Sequence, residues 1–209
     1  MLTLKPNSSK PSNKRLLKFR EESSNFKPKL RQRLSTGEPP ISLPSFVDLH
    51  EDYEASFRAQ LLERLQSLSP RDFELFARRL LKTYGFVDMK VTQTAKDGGI
   101  DGYGKLRVGL AMMNVAFQCK RWQGNVGLIE VDRFRGAISG EFEQGIFFTT
   151  SDFTPNARNA SLKRGAVPII LINGEGIMNL MIEKGFGVQR VPLYIYYERP
   201  SDLIEKPED

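Results

Sequence analysis

Two short apolar runs, GIFFTTS at 145–151 and VPIILIN at 167–173, constrain the fold more than any other feature of the sequence. Neither alternates between apolar and polar residues, so neither reads as a strand with one wet face. Each is the kind of run expected of a strand covered on both sides. Such strands need helices above and below them, and the flanking segments have helical character. NVGLIEVDRFRGAISGEF, 125–142, places Leu128, Val131, Phe134, Ile138 and Phe142 at helical spacing. Between the two runs, Thr154 and Pro155 form an N-cap and first-turn pair for a helix through Arg164. GEGIMNLMIEKG, 174–185, supplies a closing helix.

Upstream, Phe57, Leu61, Leu62, Leu65 and Leu68 recur three to four residues apart, the face of one helix. A second helix follows, with Ser69 as N-cap, Pro70 at its first position and Asp72 in its first turn. Its apolar stripe is Phe73, Phe76, Ala77, Leu80, Leu81 and Tyr84, and Gly85 ends it; Glu74 lies off the centre of that stripe, next to the buried side. Three strands come next: FVDMKVTQT at 86–94, IDGYGKLRVGLA at 100–111 and VAFQCKRW at 115–122, the last two joined around GLAMMN as a hairpin. A helix, three strands and then α-β-α-β-α predict an α/β protein, a three-layer α/β/α sandwich around a central mixed sheet.

Composition narrows the chemistry. At 209 residues and 40% hydrophobic content, the chain suits one main domain plus an appendage. The single Cys119 excludes an internal disulfide framework and a cysteine-rich zinc site, which fits a reducing, cytoplasmic setting. The single histidine, His50, precedes the main domain, which argues against Ser-His-Asp, HExxH and other histidine-centred mechanisms. No apolar run is long enough to span a bilayer. The net charge of +6 is unevenly placed: residues 1–40 hold ten Lys or Arg against three Glu, while the remainder holds 21 basic and 22 acidic groups. That arm, residues 1–44, is rich in Ser, Pro, Asn and Lys and is predicted to be disordered by itself. It reads equally as an electrostatic tether to nucleic acid or as a solvated tail.

With histidine set aside, hydrolysis must run on carboxylates, lysine and a hard metal ion. In VAFQCKRW, alternation puts Val115, Phe117 and Cys119 on one face and Gln118 and Lys120 on the other. Taken alone, Q-x-K fits an edge strand with a polar face toward water, and the glycine-acid cluster KDGGIDGYG at 96–104 fits a turn. Together they say more. Asp101 projects at the start of the second strand, and a hairpin between the second and third strands lets it face Gln118 and Lys120. A carboxylate-held Mg²⁺ neutralises phosphodiester oxygens and lowers the pKa of bound water, and a neighbouring lysine positions that water or stabilises developing charge.

FELFARRLLKTYGF, DGGIDGYG, FQCKRW and FFTTSDFTPNA, in this order between about 69 and 185, resemble the catalytic domain of the Mrr-like restriction endonucleases, a branch of the PD-(D/E)xK nuclease superfamily. The resemblance implies a restriction-endonuclease-like fold and a Mg²⁺-dependent DNA endonuclease, with Mn²⁺ as a substitute ion. It makes Asp101 the metal-binding aspartate and Lys120 the catalytic lysine. Gln118 stands where many superfamily members carry a second acid, and Glu74 matches the helix glutamate that completes the metal site in related nucleases. Gln is usual in this branch, yet a neutral amide adds no charge, so metal affinity leans on Asp101 and Glu74.

Lys96, Arg121 and Trp122 are candidate nucleic-acid contacts, although an ordinary loop charge and strand end account for them as well. TTSDFTPNARNA is either an ordinary capped helix start or a phosphate-binding one, and His50 and Cys119 read as structural. The expected organisation is the arm at 1–44, a helical lead-in at 45–68, the nuclease domain at 69–187 and an extension at 188–209. In that extension the alternation of Leu193, Ile195 and Tyr197 fits an added strand or a subunit contact. Expected partners are DNA, a second copy of the chain and a subunit supplying specificity, with a role in restriction or defence. Two rival readings are a noncatalytic DNA-binding module and a repair or recombination nuclease acting on branched or single-stranded DNA.

Overall fold

The computed structural model describes residues 43–92 and 99–194. The basic arm up to residue 42, Lys96 and Asp97, and the alternating residues from Ile195 onward lie outside the described residues. Contacts divide the chain into two units, Met1–Asp48 and Leu49–Asp209. The described part of the first is the opening of helix α1, Leu43–Ser67.

Within the second unit, Ser69 breaks the helical run and starts another, α2, Pro70–Thr83. Its hydroxyl accepts the Asp72 N–H and donates to the Asp72 carboxylate at 2.6 Å, and Pro70 opens the helix where no N–H is needed. Strands β1 (Val87–Val91), β2 (Gly102–Val108) and β3 (Ala111–Lys120) follow. Then come α3 (Leu128–Ile138), β4 (Gln144–Thr149), α4 (Pro155–Ser161), β5 (Ile169–Ile172) and α5 (Gly174–Lys184).

The strands form one sheet in the order β1-β2-β3-β4-β5. β1, β2 and β3 pair antiparallel, whereas β4 adds to β3, and β5 to β4, in parallel. The interior strand β4 is buried from Gly145 through Thr149, as a strand covered twice must be. Helices α1, α2 and α5 pack on one face, where Val115, Phe117, Ile146 and Phe148 meet Leu61, Leu65, Phe73, Leu80 and Ile177. Helices α3 and α4 cover the other, where Ala116, Phe147 and Ile169 meet Val131, Phe134, Ile138 and Ala157. The Phe147 ring stands edge-on to Phe134 and Phe153 at 5.6 and 5.7 Å between centroids. This is the three-layer sandwich with a mixed sheet that the sequence predicts.

Element ends differ from the sequence reading for identifiable reasons. β3 begins at Ala111 because a tight turn at Gly109 and Leu110 closes the hairpin, with Gly109 at a φ of 61°. AMMN is therefore strand rather than loop. α3 starts only at Leu128 because Val126 is bridged to Phe153. α4 stops at Ser161, since the chain from Leu162 to Ala166 turns instead, with Gly165 at a φ of 74°. Val191 to Tyr194 have no regular structure. Among the described residues no helix is long and apolar enough to cross a membrane.

Candidate active site

The parallel half of the sheet and the antiparallel hairpin meet at the end of β3, and the polar residues singled out above gather there. Val115 and Phe117 point into the core under α2, with Cys119 packed beside them. Alternation then sends Gln118 and Lys120 to the face of Ala116 and Phe147, and Gln118 lies level with Phe147 on β4. Across the hairpin Gly102 pairs with Phe117, so Asp101 stands next to Gln118. Its carboxylate reaches the β3 backbone and accepts the Cys119 N–H at 2.6 Å, while its own N–H donates to the Phe117 carbonyl at 3.0 Å.

The residue before this segment must be glycine. Gly99 has a φ of +102°, and a Cβ there would sit 2.7 Å from Gln118 Nε2. The Gln118 amide thus packs beneath the backbone of Gly99, with 6% of its surface exposed. Its Oε1 is buried and accepts no hydrogen bond among the described residues. An unpartnered amide oxygen is costly away from water, and beside Asp101 it is available to a cation.

Charge at this point is concentrated. Burial pushes the Asp101 carboxyl up to about 6; the Cys119 N–H opposes this, the nearby Glu74 charge adds to it, and Lys120 lowers it again. Burial likewise pushes the Cys119 thiol up, helped by Asp101 and Glu74, so it stays protonated and structural. Glu74, in the first turns of α2, is therefore close enough to act on the charges of Asp101 and Cys119. Lys120 Nζ lies 4.6 Å from the centroid of the Trp122 ring, a cation–π contact that directs the ammonium at the strand end. The Lys120 carbonyl accepts Thr149 Oγ1 at 2.9 Å and the Thr150 N–H at 3.3 Å, so the end of β4 pins the end of β3.

Asp101, Gln118 and Lys120 thus lie at one end of the β2–β3 hairpin, Glu74 is near enough to act on the Asp101 carboxyl, and Lys96 lies outside the described residues. Arg121 turns away to donate to the Gln66 carbonyl of α1 at 2.8 Å, and Trp122 is 40% exposed beneath Lys120. At the start of α4, Thr154 accepts the Ala157 N–H as an ordinary cap, and Asp152 is engaged by Arg158 and by Asn173. Sequence reasoning passed over Arg71, which binds both Glu74 and the Thr92 carbonyl. Its i,i+3 spacing to Glu74 is visible in the sequence, but the contact with Thr92 is not.

Among the described residues no group of three His, Cys, Asp or Glu side chains is placed to hold a metal ion. The available donors are two carboxylates and one amide oxygen, all hard oxygens of the kind that Mg²⁺ takes through one or two carboxylates plus water and substrate. The buried, unpartnered Gln118 Oε1 fits such an ion.

A family model described as restriction endonuclease (Mrr_cat) matches residues 65–181, more than half of the chain and all four motifs of the site. The chain belongs to the Mrr restriction endonuclease family. It is 37% identical over 134 residues to the type IV methyl-directed restriction enzyme EcoKMrr of Escherichia coli (strain K12), covering 62% of this chain and 43% of that enzyme. The DNA modification-dependent restriction endonuclease AspBHI superposes with a TM-score of 0.54 at 27% identity, covering 63% of this chain and 36% of that one. The chain spans well under half the length of both relatives. The shared part is the restriction-endonuclease-like sandwich, and restriction endonucleases generally use divalent metal ions and act on DNA.

Proposed function

We propose that this Mrr family member is a Mg²⁺-dependent DNA endonuclease that hydrolyses phosphodiester bonds in cytoplasmic defence against foreign or modified DNA. The observation that carries this reading is the convergence of Asp101, Gln118 and Lys120 at the end of one hairpin, with the Gln118 oxygen buried and, among the described residues, unpartnered beside a crowded carboxylate. The names of the two relatives, methyl-directed and modification-dependent, support modified DNA as the target class.

Asp101, Gln118 and Glu74 would hold the ion, which when bound supplies charge neutralisation and a more acidic water. The protein supplies the rest. Asp101 is held through one carboxylate oxygen by the Cys119 N–H, which would leave the other oxygen to the ion. Gln118 is buried with its amide against the backbone of Gly99. Lys120, aimed across Trp122, orients the attacking water or stabilises the charge that develops on the phosphate. Trp122 and Lys96 are candidate DNA contacts, and Arg121 reaches phosphate only by releasing Gln66. We assign the nuclease domain to 69–187 and its helical lead-in to 45–68. The described residues hold one such site, so cutting both strands calls for a homodimer or for two successive events.

Incubating the purified chain with methylated and unmethylated plasmid, in Mg²⁺, Mn²⁺ or EDTA, tests this directly. Cleavage should need the metal and should fall by about 10²–10⁴-fold in Lys120→Ala, and at least as far in Asp101→Ala. Cleavage that survives both substitutions would sink the reading, and DNA binding without cleavage in any metal would replace it with a noncatalytic module.

A further inference from the structure

Arg71 is the second residue of α2, and its side chain is half exposed. An exposed i,i+3 pair with Glu74 would by itself contribute little. Arg71 does more than pair along its helix. Its Nη1 donates to Glu74 Oε2 at 2.9 Å and also to the main-chain carbonyl of Thr92 at 2.8 Å, 21 residues away at the end of β1.

Thr92 continues the connection. Its N–H donates to the Asp101 carbonyl at 3.0 Å and its hydroxyl to the Ile100 carbonyl at 2.8 Å. Asp101 in turn accepts the Cys119 N–H. One unbroken series of hydrogen bonds therefore runs from the Glu74 carboxylate through Arg71 and Thr92 to Asp101, and on to the strand that bears Gln118 and Lys120. Glutamate has three rotatable side-chain bonds, and a glutamate on a helix surface samples many arrangements. Here one of its oxygens is held by Arg71, and among the described residues the other has no hydrogen-bond partner.

We propose that Arg71 is a positioning residue for Glu74: it registers α2 against the β1 end and holds the Glu74 carboxylate where its second oxygen can take the metal ion. This rests on the reading of Glu74 as a ligand. Carboxylates that bind metals are commonly oriented by such outer hydrogen bonds, and losing one costs about 10–100-fold in metal affinity or activity. The opposing effect is the positive charge of Arg71, which by itself repels a cation. If repulsion outweighed orientation, removing Arg71 would tighten binding.

The test is Mn²⁺ binding to the full chain, read from the free-ion EPR signal, for wild type, Arg71→Ala, Arg71→Lys, Glu74→Gln and the Arg71→Ala/Glu74→Gln double variant. Arg71→Ala should bind about tenfold more weakly, Arg71→Lys should fall in between, and the double variant should match Glu74→Gln alone. Metal-free melting curves establish that the variants are folded; should Arg71→Ala fail to fold, Arg71→Lys carries the comparison. Unchanged or tighter binding in Arg71→Ala overturns the proposal, as does the same loss with and without Glu74. Wild type that binds no Mn²⁺ at all overturns the metal-site reading itself, and the role of Arg71 with it. Wild type that binds while the Arg71 variants match it overturns only the latter.

Discussion

Asp101 is the residue at which structure and chemistry conflict most. Burial raises its pKa from 3.8 to about 6, so the folded, metal-free protein holds a proton there that the unfolded chain has already released. The native state therefore binds more protons between about pH 4 and pH 6, and the contribution of Asp101 to stability is fully present below that window. It is lost as pH rises through it, by an amount on the order of 2–3 kcal/mol. Denaturant titrations from pH 4 to 7 should show this decline in wild type relative to Asp101→Asn, which cannot ionise. Added Mg²⁺ should remove the difference, because the ion favours the carboxylate. An identical pH profile for the two proteins would mean that the Asp101 carboxyl is not buried as described. Gln118 fits the same logic, since a third carboxylate beside Asp101 and Glu74 would raise the repulsion that a neutral amide avoids.

At the level of elements, the site is made by the β2–β3 hairpin and steadied by its neighbours. The bend into β2 needs Gly99 in the left-handed region and needs the space a side chain would fill, because Gln118 Nε2 lies 2.7 Å from where a Cβ would be. Gly99→Ala should cost about 1–2 kcal/mol in backbone strain. It should also push Gln118 out of place and raise the metal concentration needed for half-maximal cleavage. A melting curve and a Mg²⁺ titration of cleavage check the two effects separately; a stability loss with unchanged metal dependence would detach Gln118 from the site. β4 matters as much as the hairpin. Its Thr149 and Thr150 bind the Lys120 carbonyl, and Thr150 Oγ1 donates to the Trp122 carbonyl at 3.2 Å. The TTS motif therefore fixes where the lysine leaves the sheet.

Across the whole molecule, charge is divided between parts. Residues 1–40 carry a net +7, and the remaining residues a net −1, so attraction to DNA must come largely from the arm if it comes from net charge at all. Each phosphate contact contributes about −0.9 to the slope of log affinity against log salt. Deleting residues 1–40 should flatten that slope by roughly 3 or more units, as measured by fluorescence anisotropy with a duplex in EDTA, where no cutting occurs. An unchanged slope would make the arm a solvated tail. The main unit would then bind DNA through local groups such as Lys120 and Trp122.

Much of this was determined by local pattern. The unbroken apolar runs at 145–151 and 167–173 dictated strands covered twice, and Ser69 with Pro70 dictated where α2 begins. Alternation along β3 separated Phe117 and Cys119 from Gln118 and Lys120. These features are legible because helix and strand periods act over a few residues, and caps over three or four. Only the tertiary structure decided that Arg71 reaches Thr92, that the Asp101 carboxylate takes the Cys119 N–H, and that the Gln118 oxygen is buried without a partner among the described residues. Each of these depends on how segments 18 or more residues apart are packed against one another, and no local period encodes that distance. The raised Asp101 pKa belongs with them, because desolvation is set by everything that surrounds the carboxylate rather than by its neighbours in the chain.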